Sequence, residues 1–158
     1  MCGIAGYFNP DQNYAENPKQ NFHTLSRMIN TMNHRGPDTY GHTIINSCCL
    51  AHTRLSIIDL ENGRQPMSYT KDGNTYYIVY NGEIYNYKEV KKTLLRKNYT
   101  FETNSDTEVI IAAFCHYGPG FVKELNGIFA IAIYDSMRNT LYLYRDRFGV
   151  KPLYYTKT

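Results

Sequence analysis

The chain contains no tryptophan, no tract approaching the roughly 20 consecutive apolar residues that a membrane-spanning helix needs, and no basic segment followed by an apolar run at its start. These absences argue against a helical membrane protein and a secretory leader, and a cytoplasmic location is expected. Cysteine is sparse. Of the four, Cys48 and Cys49 are adjacent, and neither a C-x-x-C pair nor a paired histidine spacing occurs. A disulfide framework and a structural metal site are therefore not expected. Charge is nearly balanced, with 17 Lys and Arg against 14 Asp and Glu, too mild an excess for a nucleic-acid surface. The densest basic run, 88–97, reads as the solvated face of one helix. No repeat or low-complexity linker divides the chain. What is abundant is core-forming material: 42% of the 158 residues are hydrophobic, enough for a single domain burying roughly 70% of its unfolded surface.

The periodicities predict a mixed domain with mostly antiparallel sheet and at least three helices, an α+β class. Strand-like runs fall at 4–8, 41–46, 48–58, 76–80, 127–134 and 141–144, with a further candidate at 153–156. A turn-rich patch spans 63–66. Phe22, Leu25, Met28, Ile29 and Met32 recur at helical spacing, and Gly36-Pro37 follows as the stop. Asn86 with Glu89, and Ser105 with Glu108, resemble capping boxes. The first opens a helix expected to bury Val90, Leu94 and Leu95. The second opens one expected to bury Val109, Ile110, Ala113, Phe114 and Tyr117, before Gly118-Pro119 ends it.

Position 2 carries the chemistry. Once Met1 is removed, Cys2 becomes the first residue and bears a free α-amine with a reference pKa of about 7.7–8.0, close to the roughly 8.5 of its thiol. Such a residue brings its own base: the amine takes the thiol proton and later returns it to the leaving group.

Five segments set Cys2 in context. Met1-Cys2-Gly3-Ile4-Ala5-Gly6, His34-Arg35-Gly36-Pro37-Asp38, Ala51-His52-Thr53-Arg54-Leu55-Ser56-Ile57, Asn81-Gly82-Glu83-Ile84-Tyr85-Asn86 and Ser105-Asp106-Thr107-Glu108 occur in that order. Together they resemble the glutaminase domain of class II glutamine amidotransferases, most closely that of glutamine-hydrolysing asparagine synthetases. Arg145-Asp146-Arg147-Phe148-Gly149, with Lys151-Pro152-Leu153-Tyr154-Tyr155 after it, is similar to the same family. The resemblance implies an N-terminal-nucleophile hydrolase fold, two antiparallel sheets stacked between helical layers (αββα).

Free glutamine presents a carboxylate, an ammonium and a side-chain amide, and each requires a different partner. A guanidinium grips a carboxylate through two parallel hydrogen bonds, and Arg54 is the candidate. Asp106 lies in the first turn of its helix, where the dipole favours an acid. The resemblance assigns it, with Glu83, to the ammonium. Glu108 reads instead as the capping partner of Ser105. Asn81-Gly82 supplies a side-chain N–H and an unobstructed backbone N–H, the donor pair a developing oxyanion needs; the same dipeptide is also a strong hairpin-turn signal. Arg35 is expected to hold the pocket's shape. His34, His52 and His116 read as hydrogen-bonded or surface histidines, Cys48, Cys49 and Cys115 as small buried apolar groups, and Arg145 with Asp146 as a local ion pair.

The expected activity is hydrolysis of glutamine to glutamate and ammonia through a Cys2 thioester, with no metal or organic cofactor in this domain. The resemblance implies an ATP- and Mg-dependent synthetase domain as the ammonia's recipient and asparagine as its product. No S-G-G-x-D-S loop is present and the chain stops soon after an expected strand, so 1–158 is expected to be a glutaminase domain truncated at its C-terminal end. The family relatives that make glucosamine phosphate or phosphoribosylamine usually carry tryptophan after the pocket arginine, where this chain has Leu55-Ser56-Ile57. Two alternatives stand beside this reading: a non-catalytic regulatory module, and a glutaminase serving a different acceptor. Glutamine and a synthetase partner are expected, nucleic acid and membrane are not, and self-association is left open.

Overall fold

The short apolar run 4–8 becomes β1 (Gly3–Phe8), and the helical stripe becomes α1 (Pro18–Thr31), whose Leu25 and Ile29 lie one turn apart and are buried. A hairpin follows, β2 (Thr39–Ile45) and β3 (Cys48–Arg54). A second hairpin, β4 (Met67–Lys71) and β5 (Asn74–Ile84), turns on Asp72 and Gly73, both with positive φ, as a two-residue loop matched to strand twist requires. Then come α2 (Tyr87–Leu95), α3 (Asp106–Tyr117), β6 (Gly127–Asp135) and β7 (Thr140–Arg145). The computed structural model describes residues 2–55 and 63–157. Met1 and the 56–58 end of the expected strand lie outside the described residues.

The strands form two antiparallel sheets, ordered β1-β3-β2 and β4-β5-β6-β7. Period-2 alternation assigns each strand two faces, and both faces of the central strands are covered. On β3, Cys49 and Ala51 meet Leu25 and Ile29 of α1, whereas Cys48 and Leu50 meet Val79, Ala132 and Tyr134 of the second sheet. On β6, Phe129, Ile131 and Ile133 turn the other way, onto Val109, Ile110, Ala113 and Phe114 of α3. The layers therefore run helix, sheet, sheet, helix, as the resemblance implies. Ile110, Ile131 and Ile133 are fully buried, each contributing roughly 1.5–3 kcal/mol to the fold.

Several local expectations are overturned. Asn81-Gly82 makes no turn; it lies inside β5, paired with Ala130 and Phe129 of β6. β4 was not foreseen, because Met67–Lys71 alternates only between half-buried and exposed positions on an edge. Asn86 and Glu89 form no capping box. The Asn86 amide instead clips the approach to β6, donating to Glu124 O at 2.9 Å and accepting from Asn126 N at 2.8 Å. Leu95 and Tyr117 face solvent rather than the core. Residues 153–156 form no strand, having no ladder partner among the described residues.

Candidate active site

Strand parity brings the candidate residues together. Ile4 and Phe8 pack into the gap between the sheets, so Cys2, two residues before Ile4, faces the same gap. The β1–β3 register pairs Gly3 with Thr53 and Ile4 with His52, which carries Cys2 opposite Arg54. On β3, Cys48 and Leu50 face the gap, hence His52 and Arg54 do too; on β5, Val79 does, hence Asn81. At this end the sheets enclose a cavity of about 200 Å³, lined by Cys2, Arg54, Asn81, Gly82, Glu83 and Asp106 among others. At ~30 Å³ per water this holds about seven waters' volume, the scale of one free amino acid.

The nucleophile candidate is held at both ends. Leu55 N–H donates to Cys2 Sγ at 3.5 Å, and Arg35 Nε donates to the Cys2 carbonyl at 3.2 Å. Arg35 thus does not line the cavity but ties the start of the chain down. Its loop can approach because Gly36 has no Cβ; one would meet the Thr53–Arg54 peptide at 2.6 Å. Pro37 bridges Arg54, and Asp38 N–H donates to Arg54 O at 3.1 Å. The His-Arg-Gly-Pro-Asp segment therefore braces the end of β3, where the Arg54 side chain is buried.

Across the cavity, Ser105 caps α3 by accepting from Thr107 N–H. Asp106, next in line, is buried and accepts from Tyr80 OH at 2.9 Å and Ile84 N–H at 3.4 Å. Burial pushes its pKa up, and the nearby Glu83 adds to this, against the pull of those donors. A carboxylate so placed gains from a cation entering the cavity. Glu83 stands exposed at the rim. Gly82 fits because a Cβ there would collide with the Ile128 carbonyl of β6.

His52 lines the same cavity and is only 1% exposed. Its Nε2 lies 3.2 Å from the Tyr80 carbonyl; a carbonyl only accepts, so Nε2 carries a hydrogen and donates it. Burial, with Arg54 nearby, holds its pKa down at about 4 against the ordinary 6.5, although the Tyr80 bond opposes the shift. Between those values the unfolded chain binds the proton and the folded chain does not, so stability rises with pH across the window. We expect the free energy of unfolding in urea, full above pH 6.5, to fall by up to roughly 3 kcal/mol as pH drops to 4. The same chain carrying His52→Gln should lack this component. Parallel profiles for the two proteins would contradict the assignment.

Other candidates have structural roles. Glu108 does not reach back to Ser105; it accepts from Glu102 N–H and Thr103 N–H, both at 2.8 Å, and from Thr103 OH at 2.7 Å, pinning the loop before α3. Arg145 and Asp146 form no ion pair. Asp146 accepts backbone N–H groups from Phe129, Phe148, Val150 and Lys151, while Arg145 donates to the carbonyls of Gly149 and Lys151. Burial works against the Asp146 charge, but those donors together hold its pKa below the usual carboxylate range. Cys48 and Cys49 are buried and Cys115 is half-buried. Gln65, Thr107 and Lys151 line the cavity unforeseen. Gln65 and Thr107 meet only through folding, and Lys151 carried no signal beyond its place in a quoted segment.

A family model for the glutamine amidotransferase domain matches residues 1–158. An asparagine synthetase (glutamine-hydrolysing) of Bacillus subtilis is 42% identical over 157 residues, covering 99% of this chain and 25% of that protein. An amidase of Penicillium rubens is 38% identical over 163 residues, covering 99% and 24%. The chain thus spans about a quarter of the length of the curated relatives it matches. Among solved structures, the glutamine phosphoribosylpyrophosphate amidotransferase of B. subtilis superposes with a TM-score of 0.56 at 21% identity, over 69% of this chain and 25% of that one. At that identity the likeness concerns the fold.

Proposed function

Because this chain belongs to the glutamine amidotransferase domain family, we propose that its cavity hydrolyses the side-chain amide of glutamine, with Cys2 as nucleophile once Met1 is removed. The observation that carries the reading is the convergence of Cys2, Arg54, Asn81, Gly82, Glu83 and Asp106, from the residue before β1, two strands and one helix start, on one amino-acid-sized cavity. Arg54 grips the substrate carboxylate, while Asp106 and Glu83 receive its ammonium. The Cys2 sulfur attacks the amide carbon as the α-amine takes the thiol proton. Charge moves onto the amide oxygen, which accepts from Asn81 Nδ2–H and Gly82 N–H. The amine proton passes to the leaving nitrogen, the C–N bond breaks, and ammonia departs. Water then adds to the thioester and releases glutamate. Arg35 acts through the Cys2 carbonyl rather than on substrate. The groups required are all side chains and backbone of this domain, so no cofactor enters the scheme.

The relatives' greater length, and the name of the Bacillus protein, support a larger assembly in which a synthetase part uses the ammonia to make asparagine; the dependence of that part on ATP and Mg, and a cytoplasmic location, belong to the family resemblance alone. Leu55-Ser56-Ile57 after the pocket arginine, in place of tryptophan, points the same way; Ser56 and Ile57 lie outside the described residues. A non-catalytic module is not favoured, because the nucleophile, both anchors and the donor pair are all present. Kinetics of glutamate release by the purified chain test the proposal. For Arg54→Lys, loss of the two-pronged grip should raise KM roughly 10- to 100-fold with kcat nearly unchanged. An unaltered KM would make Arg54 structural.

A further inference from the structure

β5 outruns its neighbour at the end that borders the cavity. The last β4–β5 pair is Met67 with Ile78, yet β5 continues to Ile84. In an antiparallel ladder a residue's N–H and C=O point to one side, and successive residues alternate. Tyr85 N–H reaches Asn126 O, on the β6 side, at 2.8 Å, so residues 80, 82 and 84 present their polar groups to the side that β4 has vacated. Bare backbone groups at such an edge are costly unless something satisfies them. At Tyr80 two side chains do so: its N–H donates to Gln65 Oε1 at 2.6 Å, and its carbonyl accepts from His52 Nε2 at 3.2 Å. At Ile84 the N–H goes to Asp106. Between them Gly82 borders the cavity with neither β4 nor β6 to bond its N–H.

We infer that Gln65 and His52 are positioning residues for the proposed hydrolysis: by clamping both polar groups of the Tyr80 backbone they fix the edge of β5, so that the Gly82 N–H stays open and aimed at the substrate's amide oxygen. This rests on the reading of Asn81 and Gly82 as oxyanion donors. The clamp spans the whole site. Gln65 Nε2 also donates to Thr107 Oγ1 at 3.2 Å, next to Asp106, while Tyr80 OH holds the Asp106 carboxylate. His52 crosses from the first sheet to the second, so the width of the cleft between Arg54 and Asn81 depends on its length. Neither side chain needs to touch the reacting atoms to matter, since displacements of about 1 Å in a catalytic group cost up to roughly 10²-fold.

Paired substitutions test the clamp. Gln65→Leu and His52→Leu remove the acceptor and the donor, and should lower kcat roughly 10- to 100-fold with KM changed by less than about threefold. Gln65→Glu keeps an oxygen for Tyr80 N–H, with the Thr107 hydroxyl now donating, and His52→Gln keeps an N–H near the position of Nε2. Both should retain kcat within about threefold. The specific readout is affinity for L-glutamate γ-semialdehyde. Its addition to Cys2 forms an S–C bond and moves the thiol proton to the aldehyde oxygen, which then occupies the oxyanion position. That affinity should fall in step with kcat in the leucine variants, while affinity for glutamate holds. Leucine variants with full kcat, or with equal losses for semialdehyde and glutamate, would overturn the clamp. Should they fail to fold, Gln65→Asn, which withdraws the acceptor by one methylene, carries the same comparison. An inactive wild-type chain with Met1 removed would instead overturn the functional reading beneath it.

Discussion

Cys2→Ala is expected to lower glutamate release from glutamine by about 10⁴-fold or more, the scale set by removal of a hydrolase nucleophile. No other thiol can substitute. Cys48 and Cys49 lie in the core of the sheets, and Cys115 sits on α3 away from the cavity, its thiol pushed up by burial to about 12. Ser105 and Thr107 do border the cavity, but the Ser105 hydroxyl caps α3 and the Thr107 hydroxyl accepts from Gln65. The substitution should leave the fold intact, since Cys2 is half-buried and, among the described residues, its sulfur makes two long hydrogen bonds, both with Leu55. Unfolding midpoints should therefore match the parent while turnover disappears. Persisting turnover in the alanine variant would remove Cys2 from the mechanism. The same logic applies to processing: a retained Met1 ties up the nitrogen that serves as base, so intact mass and activity should correlate molecule for molecule.

The second large effect is at Asn81. Truncation to alanine removes one of the two donors proposed for the developing oxyanion, and by comparison with other acyl-transfer sites kcat should drop about 10²–10³-fold. KM should change little, because the donor is needed where charge accumulates and not where glutamine is first held. Asn81→Asp should be worse, since a carboxylate would face the oxygen that becomes negative. Steady-state kinetics of the two variants separate this from a structural role: a loss confined to KM, or an aspartate variant better than alanine, would be incompatible with it. Asn81 is buried between the sheets and paired through β6, so a modest fall in unfolding temperature is expected without loss of the ladder.

Much of this site was legible in sequence order. The terminal cysteine, the pocket arginine, the donor dipeptide and the acid opening α3 all line the cavity. They were legible because each proposed job is one that only certain side chains can do. Glu108 lies outside the pocket, as its spacing from Ser105 suggests, but as a loop pin and not a capping partner: both roles use the same residue at the same spacing, and only the position of Thr103 distinguishes them. In sequence Asp146 reads as one half of an ion pair because its neighbour is an arginine, whereas its partners are backbone N–H groups that become neighbours only after folding.

Sequence alone determined the class of chemistry and the faces of the strands, since residue type sets reactivity and period-2 alternation sets which side chains share a side. What it could not determine is what each strand has beside it. Asn-Gly favours a tight turn in isolation, yet here it is held extended by β6 on one side while β4 stops short on the other, and that asymmetry leaves the Gly82 N–H outside both ladders at the border of the cavity. His52 and Gln65 acquire their part in the same way. Their partners lie 28 and 15 residues away along the chain, and contacts at that distance follow from how the sheets stack, which no local pattern encodes.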